Sequence, residues 1–247
     1  MSEPSGQISS GINALMEKYM AVSNNIANAS TSGFKRTVSS FSSTLDSVLA
    51  NQGKESLFAS EIHSLQTIDF SQGQILRTDR PLDIALEGKG FLVLETPTGP
   101  LYTRNGSLEI NKLGQLVDTN GNLVAGQNGP IVIPQDASGS TIKISLDGVV
   151  QAGDVSVGTL KLVNFKNSSE DLEPIGLGAY RVKTDADPEA ATRVKVRQGY
   201  QEASNVKVMD EMINMMTLSR VYEMHINILK RQRENGSAAM SVANSQG

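Results

Sequence analysis

The chain has 247 residues, enough for one large or two modest domains with a substantial core. A net charge of −4, 4% aromatic residues and no Trp argue against a dedicated nucleic-acid binder, because neither a basic patch nor a base-stacking platform is evident. The lack of cysteine excludes disulfide bonds, thiol catalysis and thiolate metal sites.

The first predicted element is a helix over about residues 5–29. Its apolar positions recur at spacings of 4, 3, 4, 3 and 4 residues, which is a heptad pattern. These positions are Ile8, Ile12, Leu15, Tyr19, Val22 and Ile26. The N-terminal residues MSEPSGQISSG have no basic segment and no apolar run, which predicts that no signal peptide is cleaved.

The end of this helix carries the residues SNNIANASTSGFKR. Asn24, Asn25 and Asn28 each cost roughly 0.6 kcal/mol against Ala inside a helix. A buried Asn can fix the register of packed helices at a cost in stability, so we expect these three, together with Ser204 and Asn205, to make polar contacts between helices. Gly33 is suited to end the helix, and Phe34 is expected to anchor the exit of the chain.

Residues 37–64 are rich in serine and weakly patterned, which indicates a linker or an extended arm. From residue 65 to residue 200 the apolar period changes to 2, and turn signals recur. Asn105-Gly106, Leu113-Gly114 and Asn120-Gly121 follow one another at intervals of seven or eight residues. This spacing predicts a meander of tight hairpins in an all-β domain.

The helical period returns over about residues 204–233. A second heptad seam, broken at Ser219, consists of Val208, Met212, Met215, Tyr222, Ile226 and Leu229. Further apolar residues flank it, so the face is broader than a two-stranded seam needs. The polar tail RQRENGSAAMSVANSQG is expected to fray or to order only on assembly.

The predicted fold class is α+β. The terminal heptad helices, in segments 1–36 and 201–247, form a coiled-coil-like assembly domain, and the all-β domain of residues 65–200 is inserted between them. Three arrangements of the helices stay open: an intramolecular stalk, a membrane-surface helix and a multi-copy helical array. The array is favoured because a lone terminal helix is marginal and needs partners on more than one side.

No catalytic residue, cofactor or metal site is predicted. The two histidines, His63 and His225, fall in different zones, so no histidine cluster or triad is evident. The stretch DTNGN, residues 118–122, begins like a calcium loop but lacks the glycine and glutamate that such a loop needs, so a hairpin turn is predicted.

Three stretches resemble bacterial flagellar rod and hook proteins. NNIANASTSGFKR (24–36) resembles their N-terminal signature. RPLDIALEGKGFLVLETPTGPLYTRNGSLEINKLGQLVDTNGNLVAG (80–126) is similar to their central β motif. GYQEASNVKVMDEMINMMTLSRVYEM (199–224) is similar to their C-terminal signature, in which Ser204, Asn205 and Val206 open the helix.

The resemblance implies a non-enzymatic subunit of the periplasmic drive shaft, exported by the flagellar type III apparatus. It also implies terminal helices that are disordered before assembly and then pack with other copies and other rod proteins as the inner tube. The β domain would form an outer layer of the rod. The protein would bind no nucleic acid and would not insert into a membrane. The short segment 37–81 and the wording TDRPLDIAL, YTRNG and VGTLKLV favour the proximal-rod type over the distal-rod type. A different class, a secreted oligomeric binding module with a ligand site on the β domain, is the alternative.

Overall fold

A computed structural model describes residues 4–44, 61–134, 142–183 and 186–244. The helices are α1 (Pro4–Ala27), α2 (Ser168–Asp171) and α3 (Val208–Asn244). The first two strands are β1 (Thr37–Thr44) and β2 (Glu61–Ile68). The remaining strands are β3 (Ile75–Arg77), β4 (Ile84–Glu87), β5 (Phe91–Thr96), β6 (Gly99–Thr103), β7 (Leu108–Ile110), β8 (Leu116–Asp118), β9 (Leu123–Gly126), β10 (Gly129–Pro130), β11 (Ile142–Ile144), β12 (Val149–Ala152), β13 (Val155–Thr159), β14 (Leu162–Asn164), β15 (Leu172–Gly176), β16 (Ala179–Val182), β17 (Glu189–Ala190), β18 (Lys195–Gln198) and β19 (Tyr200–Glu202).

The chain divides into two compact units. The helical unit comprises Met1–Ala27, Thr37–Thr67 and Lys207–Gly247, and the β unit comprises Asn28–Arg36 and Ile68–Val206. The α+β class is thus confirmed, while the coiled-coil geometry of the helices stays a prediction. No helix in the described ranges carries an apolar run long enough to cross a membrane.

The helical unit pairs α1 with α3. On α1 the buried apolar side chains are Ala14, Ala21 and Val22, and on α3 Leu218 is buried. Small alanines let two helices approach closely, which explains why the inward face of α1 includes positions outside the predicted heptad. Helix α3 continues to Asn244, beyond the predicted end near residue 233, so much of the predicted polar tail is helical.

The segment predicted as a linker contains regular structure at its ends. Strand β1 pairs with β2 in a two-stranded sheet, and the intervening residues 45–60 lie outside the described part of the chain. Strand β1 consists mostly of serine and threonine, and its apolar residues Val38 and Phe41 are three positions apart, so it lacks the alternating pattern that predicts a strand. The predicted start of the β domain at residue 65 therefore falls inside β2.

The β unit is built on a ten-stranded antiparallel sheet. Its main order is β15-β16-β6-β5-β9-β8-β7, with β10 beside β9, and β14 joining β5 to β17. Smaller sheets pair β11, β12 and β13, β18 with β4, and β19 with β3. Hairpins join β7 to β8 and β8 to β9, as the turn signals predicted, and a further hairpin joins β5 to β6. The last strands return to the first ones, with β18 beside β4 and β19 beside β3.

Two of the predicted hairpin turns are confirmed and one differs. Gly114 and Gly121, with φ of 77° and 84°, lie in the β7–β8 and β8–β9 turns. In the second turn Asp118 Oδ1 accepts hydrogen bonds from the N–H groups of Asn120 and Asn122. Gly106 instead permits a close approach, because a Cβ there would lie 1.8 Å from Ile84 O.

A buried apolar core holds the sheet together. Its larger cluster includes Leu92, Leu94, Leu108 and Leu160, each at most 1% exposed. A second cluster packs Phe91 edge-on against Phe165 and Phe70, with ring centroids 5.9 and 5.3 Å apart. At about 1.5–3 kcal/mol for each fully buried large side chain, these clusters favour folding of the β unit.

Candidate functional site: an apolar helical surface and a buried ion cluster

The helical unit presents apolar side chains to solvent along two helices. On α1, Met16 and Met20 are 44% and 57% exposed. On α3 the exposed apolar residues are Val208, Met209, Met212, Ile213, Met216, Tyr222, Met224 and Ile228. A soluble protein rarely leaves so many apolar side chains exposed on one element without a partner that covers them.

A groove of about 370 Å³ lies between α1 and α3. Its walls are Leu15, Met16 and Tyr19 from α1 and Leu218, Ser219, Tyr222 and Glu223 from α3. Most of these side chains are apolar, and the small Ser219 leaves room where a larger residue would fill the groove. This shape suits the side chains of an additional helix.

The predicted seam of α1 is only partly buried within one chain. Val22 is buried, while Ile12, Leu15 and Ile26 are half-buried and Tyr19 is exposed. Ile8 lies in α1, but its side chain is outside the described ones. The predicted seam of α1 therefore retains apolar surface that α3 of the same chain does not cover.

The predicted seam of α3 is shifted in the structure. Met215, Ile226 and Leu229 are half-buried as expected, whereas Val208, Met212 and Tyr222 are exposed. The inward positions missed by the sequence pattern are Leu218 and Glu211. Because α3 is apolar on several faces, its heptad pattern alone did not distinguish the side that meets α1.

Asn25 makes its polar contacts inside its own chain. Its side chain is buried at 1% exposure, its Nδ2 donates to Thr37 O at 2.9 Å, and its Oδ1 accepts from Thr37 N at 2.9 Å. This pairing satisfies the first residue of β1 much as a neighbouring strand would. Asn25 thus has a structural role within the helical unit, and its expected contact between subunits stays a prediction.

The other two asparagines of this block have different settings. Asn24 is exposed on α1, and Asn28 follows the helix in a turn where Thr31 N donates to Asn28 O at 3.0 Å. Helix α1 ends at Ala27, before Gly33. The expected contact of Asn24 between subunits stays a prediction.

Gly33 and Asn205 shape the β unit rather than helix ends. A Cβ on Gly33, whose φ is +72°, would lie 2.4 Å from Asn105 N. Asn205 Oδ1 accepts from Arg36 N at 2.8 Å, and its Nδ2 donates to Asp69 O at 2.7 Å. Glycine at position 33 allows the backbone to pass close to Asn105. The side chain of Asn205 joins the backbone at Arg36 to the backbone at Asp69.

The residues before α3 also differ from the expectation. Ser204, Asn205 and Val206 precede the helix, which starts at Val208, and Ser204 Oγ accepts from Val206 N at 3.2 Å. Phe34 is half-buried beside Gly33. Residues 204–206 lead into α3 but lie outside the helix.

A buried ion cluster lies in the β unit. Lys35 Nζ donates to Glu202 Oε1 at 2.5 Å and to Ser71 O at 2.7 Å. Arg104 Nη1 lies 3.3 Å from Glu202 Oε2, and Gly73 N donates to Glu202 Oε1 at 2.8 Å. The side chains of Lys35, Arg104 and Glu202 are at most 3% exposed.

The charge balance of the cluster is uneven, because two cations share one carboxylate. Burial lowers the pKa of Lys35 below its usual 10.5, against the opposing effect of Glu202. Burial likewise lowers the pKa of Arg104, whose guanidinium carbon lies 5.4 Å from the Phe91 ring centre. Removing Glu202 would thus leave two buried cations without their common anion.

Sequence reasoning missed this cluster because charged residues are rarely buried, and each member looked like a surface residue in its own stretch. One signal was available. Lys35, Arg104 and Glu202 belong respectively to the GFKR, YTRNG and GYQEASN motifs, which are the three stretches that carry the family resemblance. The contacts of Lys35 and Arg104 with Glu202 bring the three motifs together in the interior of the β unit.

Comparison with known proteins agrees with this organisation. The family model described as "Flagella basal body rod protein" matches residues 9–35. The "Flagellar hook protein FlgE/F/G D1 domain" matches 85–152, and the "Flagellar basal body rod FlgEFG protein C-terminal" matches 197–242. Each of these ranges contains one member of the buried ion cluster.

Curated relatives align along nearly the whole chain. The flagellar basal-body rod protein FlgG of Caulobacter vibrioides is 35% identical, covering 89% of this chain and 91% of the relative. FlgG of Buchnera aphidicola subsp. Schizaphis graminum is 32% identical, with coverage of 87% and 90%. The rod protein FlgF of Salmonella typhimurium is 31% identical, with 91% of each chain covered. The chain therefore belongs to the family of flagellar basal-body rod and hook proteins.

Proposed function

We propose that this chain is a structural, non-enzymatic subunit of the flagellar rod that polymerises through its helical unit. The observation that carries the proposal is the apolar surface left uncovered on α1 and α3. Met212, Ile213 and Met216 lie exposed within five consecutive residues of α3. Neighbouring helices that cover these side chains remove them from water. This stabilises the assembly by about 25 cal/mol per Å² of apolar surface buried.

The groove between α1 and α3 supports the same proposal. It offers an apolar slot beside Tyr19 and Tyr222, which suits a helix from another copy or from another rod protein. The proposed partners are other copies of this chain and other rod proteins of the family. The subunit then lies in the basal body, crossing the periplasm, and reaches it through the flagellar type III export apparatus.

Within the rod we propose the proximal position, of the FlgF type. The short segment between the GFKR and LDIAL motifs and the wording TDRPLDIAL, YTRNG and VGTLKLV support it. A distal position of the FlgG type is the competing assignment, since FlgF and FlgG relatives match this chain at similar identity. Expression in two non-swimming mutant strains, one lacking FlgF and one lacking FlgG, separates the two assignments. Restored swimming only in the FlgF-deficient strain supports the proximal rod, and restoration only in the FlgG-deficient strain contradicts it.

A substitution pair tests polymerisation. Ile213→Lys places a charge on the exposed apolar face of α3, and Asn214→Lys places the same charge on the adjacent exposed polar position. Burying an unpaired ammonium is strongly unfavourable, so Ile213→Lys should be exported and folded yet fail to enter rods. The Asn214→Lys chain should enter rods more efficiently than the Ile213→Lys chain. Equal incorporation of Ile213→Lys and the unmodified chain would contradict the proposal.

A further inference from the structure

The methionines of this protein are confined to one of its two units. All nine fall within residues 1–27 and 207–247, and residues 28–206 contain none. The β unit has a large apolar core yet builds it without methionine. Methionine is therefore not used for core packing throughout this protein. It is concentrated in the unit whose helices expose apolar side chains.

Most of the described methionine side chains lie open to solvent. The exposed ones, from 41% to 70%, are Met16, Met20, Met209, Met212, Met216 and Met224. Met215, which is half-buried, belongs to the same helix and serves as an internal comparison. A thioether that is open to solvent in the free chain is accessible to small oxidants.

We propose that these exposed methionines form an oxidation-sensitive site that controls the association of the helical unit. Hydrogen peroxide is the oxidant. The thioether sulfur gives two electrons to the peroxide, whose O–O bond breaks. One oxygen forms the sulfoxide, and the other leaves as water. The inference rests on the proposed function, because the surface that becomes polar is the one assigned to polymerisation.

The sulfoxide changes the interface by polarity and not by size alone. A methionine side chain adapts to irregular apolar neighbours, whereas a sulfoxide brings a strong hydrogen-bond acceptor into the same contact. Neighbouring apolar residues such as Ile213 and Ile228 supply no side-chain donor. Burial of the new oxygen without a partner is therefore unfavourable, and the association of the oxidised chain weakens.

The state of the chain decides when this reaction is possible. The sulfurs are exposed before assembly, and a neighbouring helix that covers them protects them afterwards. The β unit is insensitive to the same chemistry because its residues, 28–36 and 68–206, include neither methionine nor cysteine. Oxidation therefore acts on newly exported subunits and leaves the β unit intact.

The test uses the purified full chain, treated with dilute hydrogen peroxide and then freed of it. Peptide mass spectrometry measures sulfoxide at each methionine, and sedimentation measures association of the chain with itself and with a second rod subunit. We expect the six exposed positions to react before Met215. The association constant should fall by roughly tenfold or more, since each buried sulfoxide lacks a donor. Methionine sulfoxide reductase should restore it.

Leucine and glutamine variants separate oxidation of this surface from general damage. Replacing the six exposed methionines with leucine removes the thioethers while keeping a similar apolar volume, so the association of this chain, whatever its untreated strength, should not change on peroxide treatment. Met215→Leu alone should remain as sensitive as the unmodified chain. A Met216→Gln chain, which carries a permanent amide at one position, should associate less well than Met216→Leu.

The outcomes distinguish the switch from the function on which it rests. Weakened association that the reductase reverses and the leucine chain resists supports the switch. Unchanged association despite sulfoxide at the exposed positions overturns the switch and leaves the polymerisation proposal standing. Failure of the untreated chain and of the leucine chain to associate with any rod subunit overturns the polymerisation proposal, and the switch with it.

Discussion

The side-chain amide of Asn25 takes the place of a neighbouring strand for the backbone of Thr37. It donates to the carbonyl and accepts from the N–H of that one residue, with both bonds at 2.9 Å. Twelve positions separate the two residues, and the turn after α1 brings them together. An asparagine that weakens α1 as an isolated helix is thus used to start β1.

Asn25→Ala should destabilise the helical unit although it improves the helix propensity of α1. Two backbone groups lose their partner, and each unsatisfied buried group costs about 1–3 kcal/mol. The matched change Asn24→Ala, at an exposed position, should alter stability by less than about 0.5 kcal/mol. Hydrogen exchange at the Thr37 amide measures the effect locally. Unchanged protection in Asn25→Ala would contradict this account.

Gly33→Ala should destabilise the β unit. The added Cβ would meet the backbone of Arg104 and Asn105 at 2.5 and 2.4 Å, and the positive φ adds strain. Gly11→Ala is the matched control, because Gly11 lies in α1 with open space around it. There alanine should stabilise the helix by about 0.5–1 kcal/mol. Thermal unfolding of the two variants should shift in opposite directions, and a shared direction would refute the close-approach explanation.

Glu202→Gln should be the most damaging change in the buried ion cluster. It leaves Lys35 and Arg104 without their common carboxylate, and breaking a buried pair costs about 3–5 kcal/mol. Lys35→Met should cost far less, since it leaves one cation, Arg104, with one anion. Denaturant unfolding followed by a β-sheet signal compares the two. A Lys35→Met chain as unstable as Glu202→Gln would show that the uneven charge balance is unimportant.

The stability difference between the unmodified chain and Lys35→Met should depend on pH. Burial lowers the pKa of folded Lys35, so the unfolded chain holds this proton up to about 10.5 while the folded chain releases it earlier. Between these two values the unfolded state binds more protons, and stability from this position rises with pH. The free energy of unfolding of the unmodified chain should therefore rise relative to that of Lys35→Met as the pH increases towards 10.5. A relative loss over that range would contradict the assigned direction.

Local pattern predicted the elements well and the long-range contacts poorly. The heptads of Leu15 and Met215 identified the helices, and glycines such as Gly121 located hairpin turns, because periodicity and φ preference act over a few residues. The partner of Asn25, the close approach at Gly33 and the burial of Lys35 depend on chain passages far apart in sequence. The family resemblance located the relevant stretches but not the contact that joins them.

The chain contains no cysteine, which permits a direct measurement of the central claim that α3 mediates assembly. A single Met216→Cys substitution places one thiol on the exposed face, and Leu218→Cys places one on the buried face as a control. Maleimide labelling is then compared between the free chain and assembled rods. The account predicts fast labelling of the Met216→Cys thiol in the free chain and strong protection in rods, with Leu218→Cys slow in both. Equal labelling of Met216→Cys in the free chain and in rods would contradict it.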